Sequence, residues 1–532
     1  MRASNRSLGA LGRKSVRIFR RWPGFAPGVA VLALAAAAGV GVAPPTAHAG
    51  SAAPGQAPGE RDENADGWRI HNYDLANTRA TSQAEIDSGN VSRLAVKWRF
   101  PVEGPGVFGV SSTPIVVGRT VYVIDTRSAV YALDRDSGRL RWRRDFDSLS
   151  IGPNGVAYHS GLLYGVTSTG VFALDPQTGA TRWSRELFTG SGGIDIAPQP
   201  YADTVLVSTV PATFTGYPAG GMGIVWALDA RTGVPKWQFN TVKDGDLWGH
   251  PEINSGGGLW YPPAVDEEGR LFLAVANPAP FPGTAEFPNG SSRPGPNLYT
   301  NSLVALDSRT GRLLWYQQAL PHDLRDYDLE ASPIVTKVPI AGVSTEVVLV
   351  AGKMGVVYAY RAADGHPLWT LPVGTHQNDV GPLPDEPVAV LPGVLGGVET
   401  PMALANGRLF VPWLDLVTMM SSTEFLNFFP ALPTATGGLT AVDAATGRVD
   451  WERSLPQMVF GAATVSNDVV FTSTYDGTIY AFDTRDGSTL WTATARAGIN
   501  SFPAVVGDTL LVAAAAPGFF QHPVSELIAY AL

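Results

Sequence analysis

The chain has 532 residues, a net charge of −9 and no cysteine. The absence of cysteine excludes disulfides, thiolate catalysis, cysteine-ligated zinc, iron–sulfur clusters and a CxxCH haem site. The first 49 residues hold seven basic and no acidic side chains, and without them the net charge is −16. Because so acidic a body repels phosphate backbones, we expect no nucleic-acid partner.

The N-terminal region has the features of an export signal. Basic residues up to Arg21 are followed by the apolar run Val29–Val42 and by small residues at the −3 and −1 positions of Ala47-His48-Ala49. These features predict a signal peptide over residues 1–49, cleaved after Ala49. Both Sec and twin-arginine export remain open. The apolar run is too short for a stable membrane anchor, so we expect an exported protein, periplasmic or secreted, with no membrane anchor.

A repeated motif dominates the rest of the chain, after a disordered linker predicted over residues 50–65. Its form is apolar-Ala-apolar-Asp-x-x-Thr-Gly-x-x-x-Trp, with small departures. It occurs at Tyr131–Trp142, Phe172–Trp183, Trp226–Trp237, Val304–Trp315, Tyr358–Trp369, Thr440–Trp451 and Tyr480–Trp491. The alternating apolar residues, the tight turn at Asp and Gly, and the final Trp predict two strands joined by a hairpin. We expect the Trp to pack between neighbouring sheets.

The spacing of the motifs and the two ends of the chain predict the fold. Further strand-like runs lie between the motifs, so each repeat supplies four strands, which is typical of a β-propeller blade. The chain ends on Leu527–Leu532, the first half of the motif, and Leu94–Trp98 supplies the missing second half. We therefore predict an all-β protein in which residues 66–532 form an eight-bladed propeller. Seven blades are complete, and the terminal strands share the eighth.

One short motif matches a known site by letter only, and two other common site motifs do not occur. Residues 104–109 read GPGVFG, but a β-like segment follows instead of the helix that dinucleotide binding needs. The eight histidines show no HExxH spacing, and no GxSxG motif occurs. The chain therefore gives no support for a nucleotide-binding loop, a histidine-based zinc site or a nucleophile-elbow hydrolase.

A carboxylate-rich segment in a long insertion is more informative. Asp323, Asp326 and Asp328 lie within six residues, and Asn277 follows the strand-like run LFLAVA. Carboxylates that cap their own loop would explain this pattern. A carboxylate cluster beside an asparagine at a strand end also suits a hard cation with oxygen ligands.

The segments around these residues resemble the quinoprotein alcohol dehydrogenases, eight-bladed enzymes that use pyrroloquinoline quinone (PQQ). WRIHNYDLANTR, GGGLW, ANPAP, RPGxN, NSLVALD, YQQ, PHD and DYD occur in family order, over roughly residues 66–532. The resemblance implies PQQ and Ca²⁺ or a lanthanide ion as cofactors. It also implies an alcohol substrate and an external electron acceptor, such as a cytochrome or a copper protein.

The resemblance also implies site residues. Asp326 matches the catalytic base, Asn277 a metal ligand, and Trp260 the tryptophan beneath the quinone. Lys353 matches a cationic contact to PQQ, and Asp415 falls where the family usually has a cofactor-binding Asn. Asp328 resembles the additional acid of lanthanide-dependent members, so the predicted metal ligands are Asn277, Asp326 and Asp328.

The chain departs from the family pattern at several positions. No Asp or Glu lies between Asp203 and Asp229, where the family has an acidic metal ligand, and the vicinal cysteines are absent. Asn154 replaces an Arg, and Pro296 replaces a frequent Asp. Two functions therefore remain open: a PQQ-dependent alcohol dehydrogenase, and a non-catalytic secreted propeller acting as a binding or scaffold protein.

Overall fold

A computed structural model of the chain describes residues 67–103, 108–187, 192–213 and 216–532. The predicted signal peptide and linker lie outside these residues. The regular structure that is described is β, apart from five short 3₁₀ helices: Val91–Arg93, Lys243–Gly245, Leu247–Gly249, Pro288–Gly290 and Phe429–Thr434. No helix in the described ranges has the length and apolar character needed to cross a membrane.

Four-stranded antiparallel sheets follow one another along the chain, and we number them as blades from the N-terminal side. Blade 1 comprises Ile115–Val117, Thr120–Ile124, Val130–Asp134 and Leu140–Arg144. Blade 2 comprises Val156–His159, Leu162–Val166, Gly170–Leu174 and Thr181–Glu186. Blade 3 comprises Gln199–Tyr201, Thr204–Ser208, Ile224–Asp229 and Pro235–Asn240. Blade 4 comprises Ala264–Val265, Arg270–Ala274, Ser302–Asp307 and Leu313–Gln318.

The second half of the chain repeats the arrangement. Blade 5 comprises Ile334–Ile340, Val343–Val350, Val356–Arg361 and Pro367–Pro372. Blade 6 comprises Ala403–Ala405, Arg408–Asp415, Thr436–Asp443 and Val449–Leu455. Blade 7 comprises Thr464–Ser466, Val469–Ser473, Thr478–Asp483 and Thr489–Thr494. Blade 8 comprises Ala504–Val506, Thr509–Ala514, Glu526–Ala531 and Ala95–Pro101.

Blade 8 closes the ring as the sequence predicts. Its outermost strand, Ala95–Pro101, comes from the N-terminal side and pairs antiparallel with the last strand, Glu526–Ala531. Trp98 lies opposite Ala529 in this register. The eight-bladed, all-β prediction is confirmed. Because this pairing completes blade 8, every blade of the ring has four paired strands.

The motif tryptophans pack between neighbouring blades, as the sequence predicts. The indole of Trp237 lies so close to Gly311 of blade 4 that an added Cβ would approach it to 2.5 Å. Gly311 also has a φ of +68°, which disfavours other residues. The indole N–H of Trp237 donates to the carbonyl of Ser308 at 2.9 Å. The same pair of contacts recurs for Trp98, Trp142, Trp183, Trp315, Trp369 and Trp451.

A segment before the first blade, residues 67–81, runs along the inner edges of the blades. It begins with Gly67–Trp68, which pairs with blade 1, and ends with Ala80–Thr81, which pairs with blade 7. Its backbone carbonyls accept N–H groups from the innermost strands of blades 2, 4, 5, 6 and 7, donated by Tyr158, Val265, Val335, Leu404 and Val465. The buried side chain of Arg79 adds hydrogen bonds to Thr113, just before blade 1, and to the carbonyl of Pro503, just before blade 8.

Long insertions leave the blades between strands. Two small antiparallel ribbons form within them: Ser255–Gly256 with Pro278–Ala279, and Val388–Val390 with Thr418–Met420. The apolar core lies between the blades, where the inner strands are almost entirely buried. A rigid scaffold of this kind holds its insertions in fixed positions, where binding sites are commonly built.

Candidate active site

The loop between blades 4 and 5 presents Asp326 in a strained conformation. Both oxygens of Asp323 accept backbone N–H groups, from Arg325 at 2.7 Å and from Tyr327 at 2.7 Å. This double cap fixes the chain on either side of Asp326, whose φ is +64°. A left-handed backbone is costly for a non-glycine residue, so the cap holds the carboxylate in its orientation.

Three side chains from distant parts of the chain contact the buried carboxylate of Asp326. Asn277 donates its side-chain N–H to Oδ1 at 2.8 Å, and Tyr217 donates its hydroxyl to the same oxygen at 3.3 Å. The ammonium of Lys353 lies 3.1 Å from Oδ2. Asp326 is 4% exposed, so these contacts are made away from bulk water.

Asp328 links the same residues from the other side. Its Oδ1 accepts the backbone N–H of Asn277 at 2.8 Å and the indole N–H of Trp260 at 3.3 Å. Its Oδ2 lies 2.7 Å from the ammonium of Lys353. The structure therefore brings Trp260, Asn277, Asp326, Asp328 and Lys353 into one connected group, which we call the carboxylate–lysine cluster.

The cluster extends to residues that occupy equivalent places in the repeat. Trp260, Glu330 and Glu399 each lie four residues before the innermost strand of blades 4, 5 and 6. They consequently approach one another around the propeller axis. The Glu330 carboxylate lies 4.0 Å from the ammonium of Lys353 and is hydrogen-bonded to the carboxyl of Glu399. A bond between two carboxyl groups requires that one of them carries a proton.

The charges of the cluster are unbalanced. Burial raises the pKa of Asp326 well above its usual value, and the nearby Asp328 raises it further, while Lys353 opposes the shift. Burial also raises the pKa of Glu330. For Lys353 burial alone would lower the pKa, but the surrounding carboxylates outweigh it and raise the pKa well above its usual value. One ammonium therefore faces four carboxyl groups, of which Asp326, Asp328 and Glu330 are buried and Glu399 is half-buried. Because burial makes their ionisation costly, an additional cation would favour their charged forms.

Two of the acids considered from the sequence lie outside the cluster. Asp323 caps its own loop, which is the structural role that the sequence left open for the carboxylate-rich segment. Asp326 and Asp328 instead contact the other residues of the cluster. Asp415 ends the second strand of blade 6, and its carboxylate accepts the backbone N–H of Thr375 at 2.9 Å. Within the described residues no hydrogen bond or ion pair connects Asp415 to the cluster.

The donor atoms of the cluster fit a metal ion. Asn277 Oδ1 is buried and accepts no hydrogen bond from the described residues. Carboxylate and amide oxygens are the ligands of hard cations. No three His, Asp or Glu side chains of the described ranges are placed to hold a metal by themselves. Asn277, Asp326 and Asp328 together would hold it.

The surroundings of Trp260 have the chemistry to bind a flat anionic group, but Gly152 restricts where that group could lie. Lys353 offers a cation, and the indole offers a flat apolar surface. Gly152 packs against the six-membered ring of that indole, since a Cβ added to Gly152 would come within 2.6 Å of the ring. Trp260 is 9% exposed. A flat cofactor would therefore have to stack on the part of the indole that Gly152 leaves uncovered.

Comparisons with protein-family models agree with the propeller fold. The family model described as the PQQ glucose/ethanol/alcohol dehydrogenase β-propeller domain matches residues 68–161 and 189–378. A second family model, described as outer membrane protein assembly factor BamB, matches residues 403–519. Together the two models extend over most of the blades, and the first covers every residue of the carboxylate–lysine cluster except Glu399.

Relatives with assigned activities cover most of the chain. The quinohemoprotein alcohol dehydrogenase of Comamonas testosteroni is 25% identical over 82% of this chain and 70% of its own length. The putative dehydrogenase XoxF of Paracoccus denitrificans is 26% identical over 82% of this chain and 84% of its own length.

Solved structures show the same fold. The quinohemoprotein alcohol dehydrogenase ADHIIG of Pseudomonas putida covers 88% of this chain and 81% of its own, with a TM-score of 0.77 at 22% identity. A europium-containing methanol dehydrogenase covers 88% of this chain and 99% of its own, with a TM-score of 0.74 at 21% identity.

The fold and the cluster together define an eight-bladed propeller of the quinoprotein type. The match of the first family model extends over more than half of the sequence. The chain belongs to the PQQ-dependent alcohol dehydrogenase family.

Proposed function

We propose that this protein is an exported quinoprotein dehydrogenase that oxidises an alcohol, with Asp326 as the catalytic base. The observation that carries the proposal is the convergence of Asn277 and Lys353 on the buried carboxylate of Asp326. A carboxylate held in this way can accept a hydroxyl proton from an alcohol. PQQ, when bound, would supply the hydride acceptor, and Ca²⁺ or a lanthanide ion would supply a Lewis acid.

The residues of the cluster have distinct tasks in this proposal. Lys353 favours the ionised form of Asp326, because a neighbouring ammonium opposes the rise in pKa that burial causes. Asn277 fixes the orientation of that carboxylate and offers its free Oδ1 to a cation. Asp328 is the additional acidic ligand, and it favours a trivalent ion because it increases the negative charge at the site. Trp260 provides the flat apolar contact.

Reconstitution tests the proposal. Purified protein is incubated with PQQ and either Ca²⁺ or La³⁺, and the absorbance of the bound quinone and dye-linked alcohol oxidation are measured. Retention of PQQ through gel filtration, together with turnover that requires the metal, is the expected result. Failure to retain PQQ with either ion contradicts the proposal.

The electron acceptor and the location are part of the same proposal. The chain has no CxxCH motif, so a separate acceptor is needed, either a cytochrome or a copper protein. A relative, the 1-butanol dehydrogenase (cytochrome c) of Thauera butanivorans, is 26% identical over 82% of this chain. Export is tested by N-terminal sequencing of the extracytoplasmic protein, which should begin at Gly50. A mature form that retains Met1 contradicts it.

A second candidate function is a non-catalytic binding or scaffold propeller. The match of residues 403–519 to the BamB family model supports it. So does the absence of any Asp or Glu between Asp203 and Asp229, where a quinoprotein has an acidic metal ligand. Under this alternative the protein retains neither PQQ nor a metal, and the reconstitution experiment separates the two functions.

A further inference from the structure

Three aromatic side chains lead from the buried carboxylate of Asp326 towards the surface. The hydroxyl of Tyr217 donates to Asp326 Oδ1, and its ring meets the ring of Phe281 edge-on, with centroids 5.2 Å apart. Phe281 in turn stacks with Phe425 at 5.9 Å and an interplanar angle of 14°. Each of the three rings is partly exposed, whereas Asp326 is buried. We call Tyr217, Phe281 and Phe425 the aromatic wall.

The wall is held by hydrogen bonds between the insertions that carry it. Asn289, in the insertion of Phe281, donates its backbone N–H to the carbonyl of Ser422 at 2.7 Å. The side chain of Asn289 also exchanges hydrogen bonds with the backbone of Leu383, at 3.0 Å and 2.8 Å. Phe425 is fixed by a bridge to Met420. The rings are therefore presented by tied loops, and a ligand meets a preformed surface.

The chemistry of the wall selects among alcohols. Phe281 and Phe425 offer aromatic faces and no hydrogen-bonding group, and the hydroxyl of Tyr217 is already bonded to Asp326. A substrate with several hydroxyl groups would leave them without partners against these rings, which is unfavourable. A substrate with an aromatic or other flat apolar group gains from stacking on them.

We infer that this protein acts on alcohols in which the hydroxyl-bearing carbon carries an aromatic or other flat apolar group. Phe281 and Phe425 are its specificity-determining residues. The inference rests on the proposed function, since it places the substrate hydroxyl at Asp326 and the apolar group against the wall. It goes beyond that function by excluding polyols and sugars as preferred substrates.

The test measures binding separately from turnover. The full-length protein, as purified and after reconstitution with PQQ and Ca²⁺, is titrated with 4-fluorobenzyl alcohol and followed by ¹⁹F NMR. Unlabelled benzyl alcohol and glycerol serve as competitors. The variants are Phe281→Ala and Phe425→Ala. Tyr316→Ala is the matched control, because Tyr316 is an exposed aromatic residue (37%) on the outermost strand of blade 4.

We expect benzyl alcohol to displace the probe and glycerol to leave it bound at the same concentration. Phe281→Ala should weaken probe binding about 5- to 10-fold, since one stacked ring is lost. The Tyr316→Ala variant should bind like the wild type. If Phe281→Ala unfolds the protein, Phe281→Leu keeps an apolar side chain without a ring and should still weaken binding several-fold.

Three results overturn the inference: no binding of the probe to the wild type, equal probe binding by Phe281→Ala, Phe425→Ala and Tyr316→Ala, or displacement by glycerol as effective as that by benzyl alcohol. The proposed function fails in a different way. If probe binding depends on Phe281 but the protein never retains PQQ, the proposed dehydrogenase function is contradicted, and the aromatic wall is still supported as the ligand site. If glycerol is oxidised and the probe does not bind, the dehydrogenase function is supported, and the inference that the aromatic wall selects the substrate is contradicted.

Discussion

Asn277 donates its side-chain N–H to Asp326 Oδ1 over 2.8 Å, although 49 positions separate the two residues in the chain. Asn277 follows the second strand of blade 4, and Asp326 lies in the loop that leads to blade 5. The blades thus place an amide and a carboxylate from two loops in direct contact. This contact makes the role of Asp326 testable by a nearly isosteric change.

The Asp326→Asn variant should fold normally and lose turnover in the reconstituted enzyme. The side chains have almost the same shape, but an amide does not accept the substrate proton. Loss of a general base typically lowers kcat by roughly 10²- to 10⁴-fold. Steady-state kinetics measure the effect, and circular dichroism and thermal unfolding serve as the folding control. Turnover within about threefold of wild type would contradict the assignment of the base.

The Asp328→Ala variant should distinguish the two kinds of metal ion. Asp328 adds a carboxylate beside Asn277 and Asp326, and the attraction that it provides grows with the charge of the ion. We expect the affinity for La³⁺ to fall by more than about tenfold and the affinity for Ca²⁺ to fall less.

Terbium luminescence provides the measurement for Asp328. The indole of Trp260 lies 3.3 Å from Asp328 Oδ1, so it should sensitise bound Tb³⁺, and Ca²⁺ or La³⁺ then compete. Asp364→Ala, on an exposed turn, is the control. Equal losses for both ions in Asp328→Ala would show that Asp328 does not select a trivalent cation.

Closure of the ring depends on the last strand, so removal of residues 527–532 should make the protein aggregate. The deletion exposes the edges of Ala95–Pro101 and Thr509–Ala514, which pair with that strand. Light scattering after expression measures the outcome.

A point variant keeps the test of ring closure usable if the truncated protein is insoluble. Ile528 is fully buried, so Ile528→Ala should cost about 2–5 kcal/mol in the free energy of unfolding. Leu532→Ala, at a terminal residue that is 37% exposed, should change it by less than about 0.5 kcal/mol. Denaturant unfolding compares the two, and equal effects would contradict the closure described above.

His71 should make the protein less stable as the pH falls. Burial, assisted by Arg79, lowers the pKa of His71 well below 6.5, and neither ring nitrogen has a hydrogen-bond partner among the described residues. A group whose folded-state pKa lies below its unfolded value gains a proton on unfolding. Its contribution is therefore intact above pH 6.5 and is lost as the pH falls below that value.

Denaturant unfolding between pH 7 and pH 5 checks the role of His71. The His71→Leu variant should lose less stability on acidification than the wild type, by up to about 1.4 kcal/mol per pH unit below the unfolded-state pKa. His366→Leu is the control, because His366 is exposed. Parallel pH profiles for the wild type and His71→Leu would contradict the prediction.

The blades could be predicted from the sequence because each of the first seven carries its own turn, glycine and tryptophan. The residues that make the contact between Trp237 and Gly311 recur in seven complete motifs, so the pattern is visible without a structure. Ring closure followed from the two half-motifs at the ends. These features are local, or they repeat at a regular spacing, and sequence patterns report both.

The candidate site could be predicted only in part. Glu330 follows Asp328 by two residues, a spacing that directs side chains to one side of an extended chain, so Glu330 carried a signal that the carboxylate count did not include. The left-handed backbone of Asp326 was not visible in the sequence. The signal at Glu399 was weaker: like Glu330, it lies four residues before the innermost strand of its blade. Tyr217 and Phe281 lie in irregular insertions, whose mutual contacts depend on the path of the loops.

The segment of residues 67–81 limits how the number of blades in this protein can change. It makes hydrogen bonds to the inner strands of six blades, and Arg79 reaches the carbonyl before the inner strand of blade 8. The bonds occur along the segment in the same order as the blades that they reach. Duplication or loss of one blade would preserve every contact between neighbouring blades, yet it would leave buried carbonyls and the Arg79 guanidinium without partners, which is costly. Blade number is therefore constrained by a segment that belongs to none of the repeats.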